Sequence, residues 1–233
     1  MCGRYSLSTP QDLVEEIFDA QGSIDVESRY NIAPTEEAAV VRADDRGRRE
    51  LVSARWGLVP RWTGGAPGGA PTINARGETA AELPTFRDSF RRRRCLVPAD
   101  GFFEWQRRDR VKQPFYFTMS AGEPFAFAGL WDRWESGAGP LESFTILTTS
   151  PNELVEPLHD RMPAILPRTA FASWLDRSID DPDFLGGLLA PYPAGAMTGV
   201  PVSRYVNRAG NEGPRCVEPV ELERPPENLS LWD

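Results

Sequence analysis

With 233 residues, 40% of them hydrophobic and 26% charged, the chain is long enough to bury a sizeable core and has the balance of a soluble globular protein. No apolar run approaches the roughly 20 residues that span a bilayer, and no basic-then-apolar leader opens the chain, so a cytoplasmic protein without a membrane partner is expected. Three widely spaced cysteines and a single histidine exclude a disulfide framework and a multi-histidine metal site, no cofactor is expected, and the net charge of −8 argues on its face against nucleic acid.

The chain opens Met1-Cys2-Gly3-Arg4. Removal of Met1, which a small second residue permits, gives Cys2 a free α-amine and a thiol on adjacent carbons. The amine titrates at roughly 7.7–8.0 and the thiol at about 8.5, so both are partly nucleophilic near neutrality. Such a pair can attack one aldehyde twice: the amine forms a Schiff base, and the thiol then closes a five-membered thiazolidine. Gly3 leaves room for close approach, and Arg4, a cation just beyond the thiol, is expected to favour thiolate. The plainer reading of Cys2 is a small buried hydrophobe near a terminus.

Thr9 as N-cap and Pro10 as first helical residue predict a helix to about Ala20, with Leu13, Val14, Ile17 and Phe18 as its apolar stripe. Residues 29–35 read as a polar loop. Strands are expected over Ala38–Arg42 and Arg48–Leu58, paired across the turn Asp44-Asp45-Arg46-Gly47. Residues 63–71, almost wholly Gly, Ala and Pro, read as a mobile surface loop ending at Thr72-Ile73-Asn74-Ala75-Arg76. Short helical pieces follow at 78–83 and 85–91. A β-rich block comes next, with aromatic or β-branched runs at Cys95–Pro98, Gly101–Gln106, Pro114–Met119, Pro124–Trp131 and Ser143–Thr148. Ser150-Pro151-Asn152-Glu153 has the capping-box pattern of a short helix that delivers His159 and Arg161 into a loop. A strand over Met162–Leu166 and a helix over Thr169–Asp176, with Phe171, Trp174 and Leu175 inward, complete the pattern.

These elements predict an α+β fold with a mixed, largely antiparallel, barrel-like β-sheet core and short peripheral helices. One domain is expected over 1–210, followed by a Pro- and Glu-rich tail at 211–233 with little core-forming content. The charge is unevenly spread: residues 55–110 hold eleven arginines against six carboxylates. A basic centre of this kind in an acidic protein is either a phosphate footprint or a salt-bridged solvated face.

Several groups can join Cys2 in chemistry. Asn74 and Arg76 end the Gly/Ala/Pro loop. Glu104, between Phe103 and Trp105, is a carboxylate among aromatics whose pKa would rise, fitting it for general acid–base work; the alternative is an outward strand residue. His159 is either a functional imidazole or a satisfied structural group.

The blocks MCGRY (1–5), RYNIAPT (29–35), RWGLVPRW (55–62), NARGET (74–79), RRRRCLVPADGFFEW (91–105), FAGLWDRW (127–134), TILTTSPNELVEPLHDRMPAIL (145–166) and PVSRYVN (201–207) together closely resemble the SRAP family, the SOS response-associated peptidase or abasic-site-processing proteins. The resemblance implies an N-terminal cysteine that crosslinks to abasic sites in single-stranded DNA, as a monomer, at the nucleoid. It implies Cys2 as nucleophile and Asn74 as a hydrogen-bonding group that orients the amine or sugar. Glu104 becomes the acid/base group, and His159 the group that assists sugar opening. It further implies Arg4, Arg76 and Arg161 near phosphates, Trp105 stacking near bases, self-processing of Met1, and an associated lyase activity. Residues 63–71 and Glu36 depart from the family pattern, which usually has a longer polar segment with basic residues and more often a neutral amide at these places. Three rival activities remain open: an N-terminal-nucleophile amidotransferase, a cysteine peptidase using Cys2 with His159, and a non-covalent reader of modified bases.

Overall fold

Aromatic and β-branched residues suit a pleated, half-buried surface, and they supply most of the strands. In the computed structural model, which describes residues 2–22, 24–63, 71–108, 111–136 and 139–222, the chain begins with β1 (Tyr5–Leu7), α1 (Gln11–Phe18), β2 (Gln21–Gly22), β3 (Arg29–Ile32), β4 (Glu37–Ala43), β5 (Arg49–Trp56) and β6 (Asn74–Arg76). Two short helices follow, α2 (Gly77–Ala80) and α3 (Arg87–Arg92), then the long strands β7 (Arg94–Ala99), β8 (Gly101–Arg108), β9 (Val111–Met119), β10 (Phe125–Ser136) and β11 (Gly139–Thr149). The last part holds β12 (Met162–Pro163), β13 (Ile165–Leu166), α4 (Phe171–Leu175), α5 (Pro182–Gly187) and β14 (Met197–Pro201), with 3-10 turns at Arg204–Asn207 and Pro214–Val217.

Two sheets carry these strands. The first has the order β14-β9-β8-β1-β3; the second runs β12-β11-β10-β7-β4-β5-β2, with β13 beside β10 and β6 beside β11. Pairing is antiparallel except where β5 and β6 meet β11 and β2 meets β5. The expected mixed, largely antiparallel, barrel-like core with short peripheral helices is what the chain forms.

Tyr5 ties the two sheets together. Its ring meets Trp56 edge-on at 5.2 Å and Phe127 at 5.8 Å, and Trp56 in turn stacks on Phe144 at 6.3 Å. Phe102 of β8 stacks on Phe117 at 5.1 Å and meets Phe127 edge-on at 6.1 Å. All six rings are buried, and each contributes about 1.5–3 kcal/mol by leaving water. Thus three residues after Cys2 the chain is fixed in the core. A smaller cluster of Phe103, Val202, Val206 and Cys216 covers the other face of β8.

Five expectations differ from the fold. Thr9 does not cap α1: its hydroxyl donates to Asp100 Oδ1 at 2.6 Å, and α1 begins without a side-chain cap. The α1 stripe is narrower than expected, with Val14 and Phe18 buried but Leu13 45% exposed. Residues 29–32 are not loop but the edge strand β3, whose Arg29 and Tyr30 are only partly covered and so look polar in sequence. Ser150 starts no helix; Asn152 Oδ1 instead accepts from Leu154 N at 3.2 Å and Val155 N at 3.1 Å, and residues 153–158 form successive turns. Beyond residue 210 the chain still adds core, since Cys216 is buried and Ser203 N donates to Glu218 O at 2.9 Å. Most of the Gly/Ala/Pro loop (64–70) and the end of the tail (223–233) lie outside the described residues.

Candidate active site

The register of β1 fixes where the chain start lies. Tyr5 pairs with Phe102 and Ser6 with Gly101; Phe103 N then donates to Arg4 O at 3.0 Å, so the continuing register brings Gly3 opposite Glu104. Four contacts hold β1 there. Asp100 accepts from Ser8 Oγ at 2.7 Å and Thr9 N at 3.1 Å as well as from the Thr9 hydroxyl, and Tyr116 Oη lies 2.6 Å from Ser6 Oγ. The Tyr116 ring reaches Ser6 by crossing Gly101, where a Cβ would sit 2.4 Å from it.

Side chains alternate along a strand, so Phe102 and Glu104 share the face of β8 that looks toward the second sheet. Phe103 and Trp105 share the other, with ring centroids 6.3 Å apart. Glu104 is therefore drawn into the end of the core and is only 3% exposed. Burial pushes its carboxyl up to about 7; the positive chain terminus works against this shift and the Asp160 carboxylate adds to it. A group half-ionised at neutrality can both take and give a proton.

Cys2 is completely buried beside it. Its Sγ lies 3.7 Å from Arg4 O, and burial, followed by the Glu104 carboxylate, holds the thiol well above its ordinary range. The expectation that Arg4 favours thiolate is not met. The Arg4 guanidinium turns away, donating to Asn31 Oδ1 at 2.7 Å and Val206 O at 3.0 Å.

β6 brings the next group. It runs parallel to β11 with Asn74 opposite Ile146, and Asn74 Nδ2 donates to Cys2 O at 2.8 Å. Asn74 Oδ1 is buried without a hydrogen-bond partner, a state that costs about 1–3 kcal/mol. An amine or sugar hydroxyl brought to Cys2 would satisfy it.

His159 arrives on the turns that follow Asn152, its N–H bonded to Val155 O at 3.1 Å. Arg161 N donates to His159 Nδ1 at 3.0 Å. That assigns Nδ1 as acceptor and leaves the proton of the neutral ring on Nε2. The same Nδ1 lies 2.9 Å from Asp160 Oδ1, a contact that turns attractive once the ring is protonated.

A cleft of about 830 Å³ joins these groups, lined by Gly3, Arg4, Glu104, Trp105, Gln106, Lys112, Pro157, Leu158, His159, Asp160 and Asn207. Cys2 and Asn74 lie behind its Gly3 wall through the contacts above. Trp105 stands at the rim, its indole N–H donating to Asn207 Oδ1 at 2.7 Å. Arg76 is exposed on β6 next to Asn74 and outside that lining. Arg161 is committed elsewhere, bridging Glu78 with both terminal nitrogens at 2.7 Å and donating to Thr148 O at 2.6 Å. Among the described residues, no group of three or more His, Cys, Asp or Glu side chains is placed to hold a metal ion. Sequence reasoning did not single out Asp160, Asn207 or Lys112; the first two stand in the quoted blocks beside His159 and at the end of PVSRYVN, and Lys112 is the one lysine of the chain.

Residues 1–209 match the family described as SOS response associated peptidase (SRAP). Over 223 residues the chain is 40% identical to the abasic site processing protein YoqW of Bacillus subtilis (strain 168), covering 94% of this chain and 99% of the relative. It is 30% identical over 228 residues to the abasic site processing protein YedK of Escherichia coli (strain K12), covering 94% and 100%. Against the abasic site processing protein HMCES of Xenopus tropicalis the identity is 31% over 267 residues, covering 95% and 79%. A crystal structure of a Bacteroides thetaiotaomicron protein superposes with a TM-score of 0.82 at 25% identity, covering 94% of this chain and 100% of the other. A fold, a buried second-position cysteine and a match over nearly all of the chain agree, and the protein belongs to the SRAP family.

Proposed function

We propose that the protein processes abasic sites in single-stranded DNA by joining them covalently to Cys2. The observation that carries this reading is the buried junction of Cys2, Asn74 and Glu104 at the wall of a cleft that also holds His159. Hydrolysis first removes Met1. The freed α-amine of Cys2 adds to the aldehyde carbon of the opened sugar and loses water to form an imine. The thiol then adds across the C=N bond, sulfur to carbon and proton to nitrogen, closing a thiazolidine. One water leaves in the crosslinking step and nothing is oxidised or reduced.

Each residue has a physical task. His159 Nε2–H polarises the ring oxygen as the sugar opens. Glu104, at about 7, shuttles the protons of imine formation and receives the thiol proton during closure. The cationic imine draws thiolate character from a sulfur that burial otherwise keeps protonated. Asn74 Oδ1 accepts from the new amine or a sugar hydroxyl. Holding the reacting atoms together supplies the effective concentration, and ring closure diverts the imine from the β-elimination of an associated lyase activity. Exposed Arg76 meets backbone phosphate, and Trp105 supports an unstacked base. Arg4 and Arg161 act through the walls they brace. A thiol raised by burial argues against a preformed thiolate–imidazolium pair, and hence against the cysteine-peptidase alternative.

The test is denaturing electrophoresis after mixing protein with a single-stranded oligonucleotide bearing one abasic site. The expected product is a heat-stable adduct whose mass lacks Met1 and one water. A Cys2-started protein that gives no adduct, or a Met1-bearing protein that gives the same one, overturns the reading.

A further inference from the structure

Away from the cleft, Arg61, Arg92, Arg93, Arg177 and Trp131 surround a second cavity of about 350 Å³, with Asp45 at its edge. It lies where the end of α3, the middle of β10 and the segment after β5 converge. Its charges do not cancel. Asp132, 2% exposed, is the one carboxylate that Arg61 and Arg93 both face: Arg61 Nε lies 2.9 Å from Asp132 Oδ1 and Arg93 Nε 3.1 Å from the same oxygen. The Arg93 Nε–H is not aimed at that oxygen and stays buried without an acceptor. Burial pushes the Arg93 guanidinium down, against the pull of Asp132 and, more weakly, of Asp88, and the neighbouring Arg61 charge adds to that push. Arg92 is exposed, with no ion-pair partner among the described residues. Arg177 is held by Asp45 at 2.9 Å and by the Ala43 carbonyl, and Arg42, stacked 4.2 Å over the Trp131 ring, is neutralised by Glu50 and Glu142. The Trp131 indole N–H is itself buried without an acceptor.

Two guanidiniums sharing one carboxylate, and a third with no ion-pair partner among the described residues, make a concave site short of negative charge. We infer that this cavity binds a phosphate group, whose several oxygens can accept from more than one guanidinium at once. Asp132 is its organiser, since it orients Arg61 and Arg93 toward one point. If the proposed reaction on DNA holds, the phosphate is a backbone phosphodiester of the bound strand, and the site extends its hold beyond the reacting sugar. The phosphate chemistry stands without that reading; only its source rests on it.

The experiment has two arms. In the first, the Trp131 indole N–H resonance, assigned by its loss in Trp131→Phe, is followed while inorganic phosphate is added to the whole protein at constant ionic strength with chloride. A saturable shift, absent in Arg61→Gln, is expected. In the second, binding of undamaged single-stranded DNA is measured across salt concentrations for wild type and for Arg92→Ala, a surface change that leaves Asp132 and its two partners intact. The expected result is weaker binding and a log–log salt slope shallower by about 0.7, the loss of one phosphate contact. A phosphate shift with an unchanged DNA slope supports the site and assigns it to free phosphate esters. A shallower DNA slope without a shift from inorganic phosphate supports a strand-only site. An indole signal indifferent to phosphate together with an unchanged slope overturns the inference. Failure to crosslink abasic DNA would sink the proposed function alone, because neither arm uses Cys2.

Discussion

Replacing Glu104 by glutamine should make the protein more stable and less active at the same pH. The carboxyl sits at about 7 rather than at its ordinary 4.5 because burial disfavours its charged form. Between those values the folded protein keeps a proton that the unfolded chain has lost, so stability falls as pH rises through that window. Above it the ionised carboxylate costs the fold roughly 3 kcal/mol, at 1.36 kcal/mol per pH unit. Glutamine keeps the shape and carries no charge at any pH. Urea denaturation should therefore find Glu104→Gln more stable than wild type by roughly 2–3 kcal/mol at pH 8, shrinking to under about 1 kcal/mol at pH 5. The same variant should crosslink an abasic oligonucleotide about 10²–10⁴-fold more slowly, the usual loss for a general acid or base, and its rate profile should lack an inflection near pH 7. A stability difference that ignores pH, joined to a wild-type crosslinking rate, would mean that Glu104 is neither strained by its charge nor used in proton transfer.

Cys2→Ser keeps the amine, so borohydride should trap it on abasic DNA while heat-stable adduct without reductant nearly vanishes; an undiminished stable adduct removes the thiol from the mechanism. Arg76→Ala should weaken binding to intact single strands with a salt slope shallower by about 0.7. Arg161→Ala should instead lower stability by about 1.5–3 kcal/mol through its lost charged hydrogen bonds, with the salt slope unchanged, because Glu78 and Thr148 already hold that guanidinium. Asp100→Ala removes the acceptor for Ser8 and Thr9 and should cost at least about 2 kcal/mol in urea denaturation. It should also slow crosslinking, since the strand that carries Cys2 is no longer pinned.

The long strands β7 to β11 were legible because their aromatic and β-branched runs bury continuous surface, and burial is what those residue types report. What failed was local polar grammar. Thr9 reads as a helix cap until Asp100, ninety-one residues away, takes its hydroxyl. Ser150 reads as half of a capping box, but Asn152 takes the capping role two residues on, accepting from Leu154 and Val155. β3 hid because an edge strand can carry Arg29 and Tyr30 without burying them. Around the site, the raised Glu104 carboxyl could be anticipated from its aromatic neighbours. The fates of Arg4 and Arg161 could not, because Asn31, Val206 and Glu78, which engage them, are distant in the chain. An arginine in a sequence announces a charge, and only the fold says whether that charge is already spoken for.

β1 comes early in the chain, yet it lies inside its sheet, between β8 and β3. Its partner Phe102 emerges ninety-seven residues after Tyr5, an interval of about 5–20 s at ordinary rates of synthesis. During that time Cys2 lacks the β8 contacts under which it is buried in the fold. If the proposed chemistry holds, removal of Met1 has two windows, before β8 docks and after it, and only the first offers an unburied Cys2. Loss of methionine from chain refolded with Met1 in place, with no aminopeptidase added, would be the fold's own work.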